Sequence, residues 1–260
     1  MGNWNKAPVT EKWEASELIT QAIDRHRGHI YVAWSGGKSS TVVLMMAWRY
    51  WPEIPVMFCN TGVEMPETVE YVHAMRDKWN LNLIETQPYK KSFWDCVDEY
   101  GVPGTKTDGS KVRPKCCYYL KHKPAELAAK EHGFNAVLTG IQAGESYGRH
   151  RLITFCGQRY MVKKTGMWQY HPIAFWDNNR VWKFIKDSEI PYNPAYDKYP
   201  DCQRTGCWPC SSYKGWEKRL AKQNPKLCRI MMNKMGQNTL EPAPKEAAPT
   251  ADKEALEGKA

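Results

Sequence analysis

The sequence predicts an α/β fold: a parallel sheet with helices on both faces, followed by a small cysteine-containing C-terminal region. Three observations carry that expectation. Short apolar runs rich in β-branched and aromatic residues alternate with segments of helical periodicity, the pattern of strands laid side by side through crossover helices. A glycine loop follows the first of these runs directly and opens into a helix. The 260 residues, 42% hydrophobic and 25% charged, suffice to bury a core without disulfides.

Taken in order, residues 1–29 read as a helical lead-in, with Trp13, Leu18, Ile19 and Ile23 at helical spacing. Residues 29–34 are a buried strand that runs into Ser35, Gly36, Gly37, Lys38, Ser39 and Ser40. The helix beyond, residues 41–50, turns Val42, Val43, Leu44, Met45 and Met46 inward. The unit then repeats, with a strand at 55–59, a turn at Asn60, Thr61 and Gly62, and an amphipathic helix at 66–79. Pro66 suits its first turn and Glu67 its positive end. Residues 81–86 are a third strand, 124–132 a helix and 136–140 a fourth strand ending in Gly140. In such sheets ligands sit beyond the carboxyl ends of the strands, where these loops fall.

The remainder is less regular. Between residues 144 and 168, Arg149, His150, Arg151, Arg159, Lys163 and Lys164 are interleaved with Ile153, Phe155 and Tyr160, which reads as a basic, exposed flap. Residues 181–187 are a helix and 191–196 a proline-punctuated loop. Residues 237–260, rich in Ala, Pro, Lys and Glu without apolar periodicity, read as a disordered tail.

Lys and Arg number 37 against 28 Asp and Glu, a formal +9. The tail holds three lysines against five acids, a net −2, so the preceding 236 residues carry +11. A field of that sign suits a phosphate-rich partner, nucleotide or nucleic acid. No apolar run approaches the roughly 18 to 20 residues of a membrane span, and the first 33 residues lack the apolar core and cleavage site of a signal peptide. The expectation is a cytoplasmic protein without membrane contact.

Nine cysteines are an odd number, and a reducing compartment would keep them as thiols. Cys116 and Cys117 are adjacent, Cys207 and Cys210 form a C-x-x-C pair, and Cys202 lies just upstream of that pair. Such clustering points to a metal centre. Cys59, Cys96, Cys156 and Cys228 are scattered and read as structural thiols.

The loop from Ser35 to Ser40 has the physics of a phosphate cradle. Its glycines let consecutive N–H groups face an anion, the following helix adds its positive end, and Lys38 with the serines supplies further donors. The spacing is not that of a Walker A loop. The bland alternative is a tight strand-to-helix turn that uses glycine for clearance. The second loop, residues 60–68, offers hydroxyls and carboxylates to a ribose or to the first loop, or is simply a turn before a capped helix.

Five ordered segments together resemble the PAPS reductase family of adenine-nucleotide α-hydrolase-like proteins. Residues 35–40 are similar to its SGGKDS-type pyrophosphate loop, and residues 60–68 to its (D/N)TGxxxPET loop. Thr139, Gly140, Glu145, Ser146 and Arg149 resemble its TGxRxxES..R segment. His171, Pro172, Ile173, Trp176, Val181, Trp182 and the residues 190–196 are similar to a further stretch, and Arg204 to Cys210 to an R-x-G-C-x-x-C ending. The resemblance covers residues 30 to about 215. It implies a Rossmann-like domain over residues 30–228 that binds ATP or a phosphosulfate derivative of adenosine. The implied nucleotide site is Ser35, Gly36, Gly37, Lys38, Ser39, Ser40, Asn60, Thr61, Gly62, Glu67, Gly140, Glu145, Ser146 and Arg149.

The resemblance also bears on the thiols. In the branch that reduces APS, a tandem Cys-Cys and a later C-x-x-C hold a [4Fe-4S] cluster, which implies Cys116, Cys117, Cys207 and Cys210 here. Thiolates suit such clusters, and a four-cysteine zinc site is the chemical rival. Cys202 is the alternative fourth ligand, or a free reactive thiol and the candidate catalytic residue. The chain departs from the family pattern at Ser39, where an aspartate would help hold Mg²⁺, and at Gln142, where relatives often carry arginine. Nothing after Cys210 matches the reductases' C-terminal Glu-Cys-Gly motif; Cys228 lacks the flanking residues.

Three functions stand against these residues. The first is an enzyme of sulfur metabolism that uses an adenine nucleotide and the cluster in sulfur activation or transfer, with a nucleic acid as a candidate substrate. The second is an APS or PAPS reductase, an oxidoreductase forming sulfite with electrons from a donor such as thioredoxin or ferredoxin. The third is a nucleotide or nucleic-acid binding module without turnover, in which aromatic and basic residues between Arg149 and Trp168 stack single-stranded bases.

Overall fold

The computed structural model describes residues 12–105, 111–112, 114–199, 202–211 and 215–234. The tail expected at 237–260 lies outside them. In chain order the elements are α1 (Ala15–His26), β1 (Ile30–Ala33), α2 (Lys38–Tyr50), β2 (Val56–Cys59), α3 (Pro66–Trp79), β3 (Leu83–Thr86) and α4 (Phe93–Tyr100). A short strand pair, β4 (Gly104–Thr105) and β5 (Lys111–Val112), precedes a π-helical turn (Tyr118–His122) that runs into α5 (Lys123–Glu131). Then come β6 (Ala136–Thr139), a 3₁₀ turn (Ala143–Glu145), α6 (Tyr147–Cys156), β7 (Arg159–Val162), β8 (Met167–Tyr170) and α7 (Asn178–Asp187). The last are α8 (Ala195–Lys198), α9 (Trp216–Gln223) and α10 (Pro225–Lys234).

The main sheet has six strands in the order β3-β2-β1-β6-β8-β7. It is parallel throughout except at the β7 edge, which pairs antiparallel with β8. The fold is therefore the α/β, Rossmann-like class, with one antiparallel edge that the apolar runs did not signal. That edge is made by residues expected to form an exposed flap. Residues 147–156 fold as α6, and 159–170 as a hairpin turned by Gly166 at φ +68°, which lays Trp168 opposite Ala136 of β6. The β7 residues are half-buried or exposed, as an edge strand allows, so their alternation is too weak to read.

Local chemistry sets the ends of the elements that matter for the site. Pro66 opens α3, and Asn80 in the left-handed region closes it. The Ser146 side chain accepts from the Arg149 N–H and starts α6. The central strands β1, β2 and β6 bury almost every side chain, which is why they appear in sequence as unbroken apolar runs.

Helix α1 is part of this core, burying Leu18, Ile19, Ala22 and Ile23 against α2, β1, β6 and β8. A second, smaller core gathers Phe93 and Val97 of α4, Leu120 of the π turn, Trp216 and Leu220 of α9, and Cys228, Met231 and Met232 of α10. Cys116, Cys207 and Trp208 pack against it. The C-terminal helices thus form the hydrophobic backing of the cysteine-bearing segments.

Candidate functional site

Strand order fixes where a ligand can enter. From β1 the chain passes to β2 and β3 on one side, while β6 lies on the other, so the loops after β1 and β6 diverge and leave a crevice. A cavity of about 690 Å³ occupies that crevice. One wall is the first loop, with Ser35, Gly37, Lys38, Ser39 and Ser40; the facing wall is Thr139, Gly140, Glu145, Ser146 and Arg149. Tyr196, Arg204 and Thr205 close over them, and the cavity continues to Phe93, Glu64, Lys121, Cys116, Cys117, Cys207 and Cys210.

The first loop is braced from within and from above. Ser40 Oγ donates to the Gly37 carbonyl at 2.9 Å and accepts from the Ser35 N–H at 3.2 Å. The Lys38 N–H donates to Tyr196 Oη at 3.0 Å, and Lys38 Nζ donates to the Gln203 carbonyl at 2.7 Å. The first N–H groups of α2 have no intrahelical acceptor, and the residues that carry them, Lys38, Ser39 and Ser40, line this end of the cavity. Gly140 lets the opposite loop touch: a Cβ there would stand 2.5 Å from the Ser40 nitrogen and 2.6 Å from the Ser39 carbonyl carbon.

The electrostatics call for an anion. Burial pushes the Lys38 ammonium down, and the Arg204 guanidinium beside it pushes the same way. Arg149 is depressed by burial and again by Arg204. Glu145 pairs with Arg149 and lies 3.7 Å from Arg204, so one carboxylate stands between two guanidiniums, and Lys38 lines the same cavity. An anionic group bound here relieves that excess.

At the other end the four thiols border one space. Cys116 and Cys117 sit just before the π turn. The Cys116 thiol beside it and the neighbouring Lys121 charge hold Cys117 below its ordinary value, while Cys116 is driven up by the Cys117 thiol and by burial. Burial pushes Cys207 up to about 11, although Lys121 opposes it. Cys207 Sγ lies 3.5 Å from Thr61 Oγ1 and 3.7 Å from Glu64 Oε1. Burial depresses Lys121, but Cys207, Glu64 and Cys117 outweigh it and hold the ammonium above its usual value. Among the described residues, no three His, Cys, Asp or Glu side chains converge on one point as a single-ion site requires.

Other residues singled out in the sequence stand outside the cavity lining. Gly36 turns the loop at φ +68° with its carbonyl on Asn193 Nδ2. Asn60 Nδ2 donates to Glu85 Oε1 at 2.7 Å, and Asn60 Oδ1 accepts from the Gly62 N–H at 3.1 Å. Thr61 Oγ1 donates to Glu64 Oε1 at 2.9 Å. Glu67 accepts from Lys198 and from Tyr199 Oη. Cys202 Sγ donates to the Arg204 carbonyl at 3.4 Å, and burial pushes its thiol up. Cys228 is 1% exposed in the second core.

Sequence reasoning missed Glu64, Lys121, Tyr196 and Arg204 as site residues. Lys121 follows Cys117 by four positions, the spacing that puts two side chains on one helical face, and Glu64 lies within the second loop. Tyr196 and Arg204 lay inside family-like segments but needed the fold to bring them over the first loop.

A family model described as the phosphoadenosine phosphosulfate reductase domain matches residues 29–213. An uncharacterized protein of Methanocaldococcus jannaschii is 28% identical over 225 residues, covering 84% of this chain and 44% of its own length. The chain thus spans under half of that relative. An adenosine 5'-phosphosulfate reductase of Allochromatium vinosum is 29% identical over 203 residues, 78% of this chain and 75% of that protein. Among solved structures, the PAPS reductase from Candida auris in a phosphate complex superposes with a TM-score of 0.57 at 22% identity, over 75% of this chain and 89% of that one, a likeness of fold.

Proposed function

The chain belongs to the phosphoadenosine phosphosulfate reductase domain family, and from that premise we propose that it is an enzyme of sulfur metabolism acting on an adenine nucleotide beside a [4Fe-4S] cluster. One observation carries the reading: the phosphate-loop end and the four-cysteine end belong to a single cavity of about 690 Å³. A nucleotide with its phosphate on the first loop would direct its anionic end toward the thiols. Arg149, Arg204 and Lys38 would hold that end, and Gly140 would let the two loops close on it.

The donor set fits the cluster. Four thiols border one cavity, and thiolates are the ligands that suit an iron-sulfur cluster, with a four-cysteine zinc site as the chemical rival. Lys121, facing Cys207 and Cys117, supplies opposite charge for the thiolates. Cys116, Cys117, Cys207 and Cys210 would be the ligands; when bound, the cluster would supply electron transfer or polarisation at the sulfur end. Cys202 would stay outside the ligand set, bonded to the Arg204 carbonyl.

A second reading, an APS or PAPS reductase, is favoured by relatives such as the Allochromatium vinosum enzyme. Against it, Cys228 is buried in the second core and would not serve as a mobile thiol. Nucleic acid as substrate rests on the net charge and the basic residues of α6, and thioredoxin or ferredoxin as donor on the reductase reading.

Anaerobic purification with iron and acid-labile sulfide analysis tests the cluster. Wild type is expected to carry both, Cys117→Ser to lose them and Cys202→Ser to keep them. Zinc without iron would overturn the assignment. Incubation with ATP, APS and PAPS then separates the functions: pyrophosphate release supports activation, sulfite supports reduction, and binding without either product leaves a module without turnover.

A further inference from the structure

Ser39 lines the cavity, yet its hydroxyl donates away from it, to Gln142 Oε1 at 2.7 Å. A phosphate oxygen only accepts hydrogen bonds, so a hydroxyl committed in this way cannot serve it. Gln142 is 2% exposed, and its amide Nε2 donates to the Trp176 carbonyl at 2.8 Å. Its backbone N–H points at Glu145 Oε2, 3.5 Å away. Glu145 is in turn the carboxylate between Arg149 and Arg204. The contacts run from the phosphate loop, through one buried neutral amide, to the guanidiniums of Arg149 on the facing wall and Arg204 above it.

We propose that Ser39 and Gln142 act as one neutral latch that sets Glu145, and through it Arg149 and Arg204, at a fixed distance from the phosphate loop. Gln142 is thereby a positioning residue that favours nucleotides carrying a second anionic group beyond the first phosphate. The inference rests on the reading of the cavity as a nucleotide site. Neutrality is part of it: a charged side chain in either position would add to or cancel the field of the arginines, whereas the Ser-Gln pair leaves it intact while holding the wall in place.

Calorimetric titration with AMP and ADP, one anionic group against two, tests this on the full chain. Wild type is expected to bind ADP more tightly than AMP. Ser39→Ala, a mild change at a half-buried site, should weaken ADP about tenfold, with AMP changed less than about twofold, and Gln142→Leu should do the same. The double variant should lose no more than either single one, as expected of residues acting as a unit. Ser39→Thr, which keeps the hydroxyl, should restore the ADP preference. Equal weakening of AMP and ADP, or additive losses in the double variant, would overturn the latch. Failure of the wild type to bind either nucleotide would overturn the site reading itself, and the latch with it.

Discussion

Gly140 shows how a single missing side chain decides the geometry of the site. A Cβ at this position would meet backbone atoms of Ser39 and Ser40 at 2.5 to 2.7 Å, and backbone cannot rotate aside as a side chain can. Gly140→Ala is therefore expected to force the two loops apart, costing about 1 to 3 kcal/mol in urea denaturation and removing most nucleotide affinity. Gly62 is the control. It sits at φ +72° with nothing within 4 Å of a new Cβ, so Gly62→Ala should cost only about 1 kcal/mol of backbone strain and leave affinity within a few-fold. Equal loss of affinity in both variants would show that clearance at Gly140 is not what brings the loops together. Residues of this kind were legible in the sequence as motif glycines. Lys121, Tyr196 and Arg204 were not, because their roles come from long-range placement: Tyr196 stands 158 positions from the Lys38 N–H it accepts from.

Among the elements, the repeating strand-and-helix units were legible because their faces are buried on both sides and appear as continuous apolar runs. Helix α6 was not, since Ile153 is its one buried residue and it has no apolar stripe to read. Helices α4, α9 and α10 escaped for another reason: they pack on one another and on irregular cysteine-bearing segments, outside the β-α alternation. The end of β8 carries a testable consequence of burial. His171 follows that strand, is fully buried, and bonds Thr139 Oγ1 through Nδ1 at 2.6 Å, tying β8 to the cavity wall. Burial, with Arg149 adding to it, pushes the imidazole down to about 4. The unfolded chain titrates near pH 6.5, so between those values it binds the extra proton and gains on the folded state. The histidine's contribution is complete above pH 6.5 and is lost as the pH falls toward 4, amounting to about 3 kcal/mol. Stability curves of wild type and His171→Gln should therefore converge by that amount between pH 7 and pH 4; parallel curves would mean that His171 protonates freely in the fold.

At the scale of the whole molecule, one segment joins the two ends of the cavity. Asn193 Nδ2 donates to the Gly36 carbonyl at 3.2 Å and to Thr68 Oγ1 at 2.9 Å, which pins the segment to the first loop and to α3. Tyr196 Oη accepts from the Lys38 N–H and the Gln203 carbonyl from Lys38 Nζ, so the phosphate loop is held by the chain that leads into Cys207. Beyond that cysteine, the Trp208 N–H donates to the Val63 carbonyl at 2.9 Å, returning the segment to the second loop. Any group that orders Cys207 and Cys210 also orders the cover of the phosphate loop, and any anion that orders the phosphate loop steadies the thiols. If the four cysteines hold a cluster as proposed, linkage makes the two effects equal: the factor by which nucleotide tightens iron retention is the factor by which iron tightens nucleotide binding. Two measurements on the same protein check this, the iron occupancy held against a competing chelator at equilibrium with and without saturating AMP, and AMP affinity with and without iron. Nucleotide is expected to raise iron retention, and Tyr196→Phe, which keeps the ring but removes the acceptor for Lys38, to reduce both effects together. Iron retention unchanged by nucleotide would mean that the phosphate end and the thiol end, though they share one cavity, fold and fill independently.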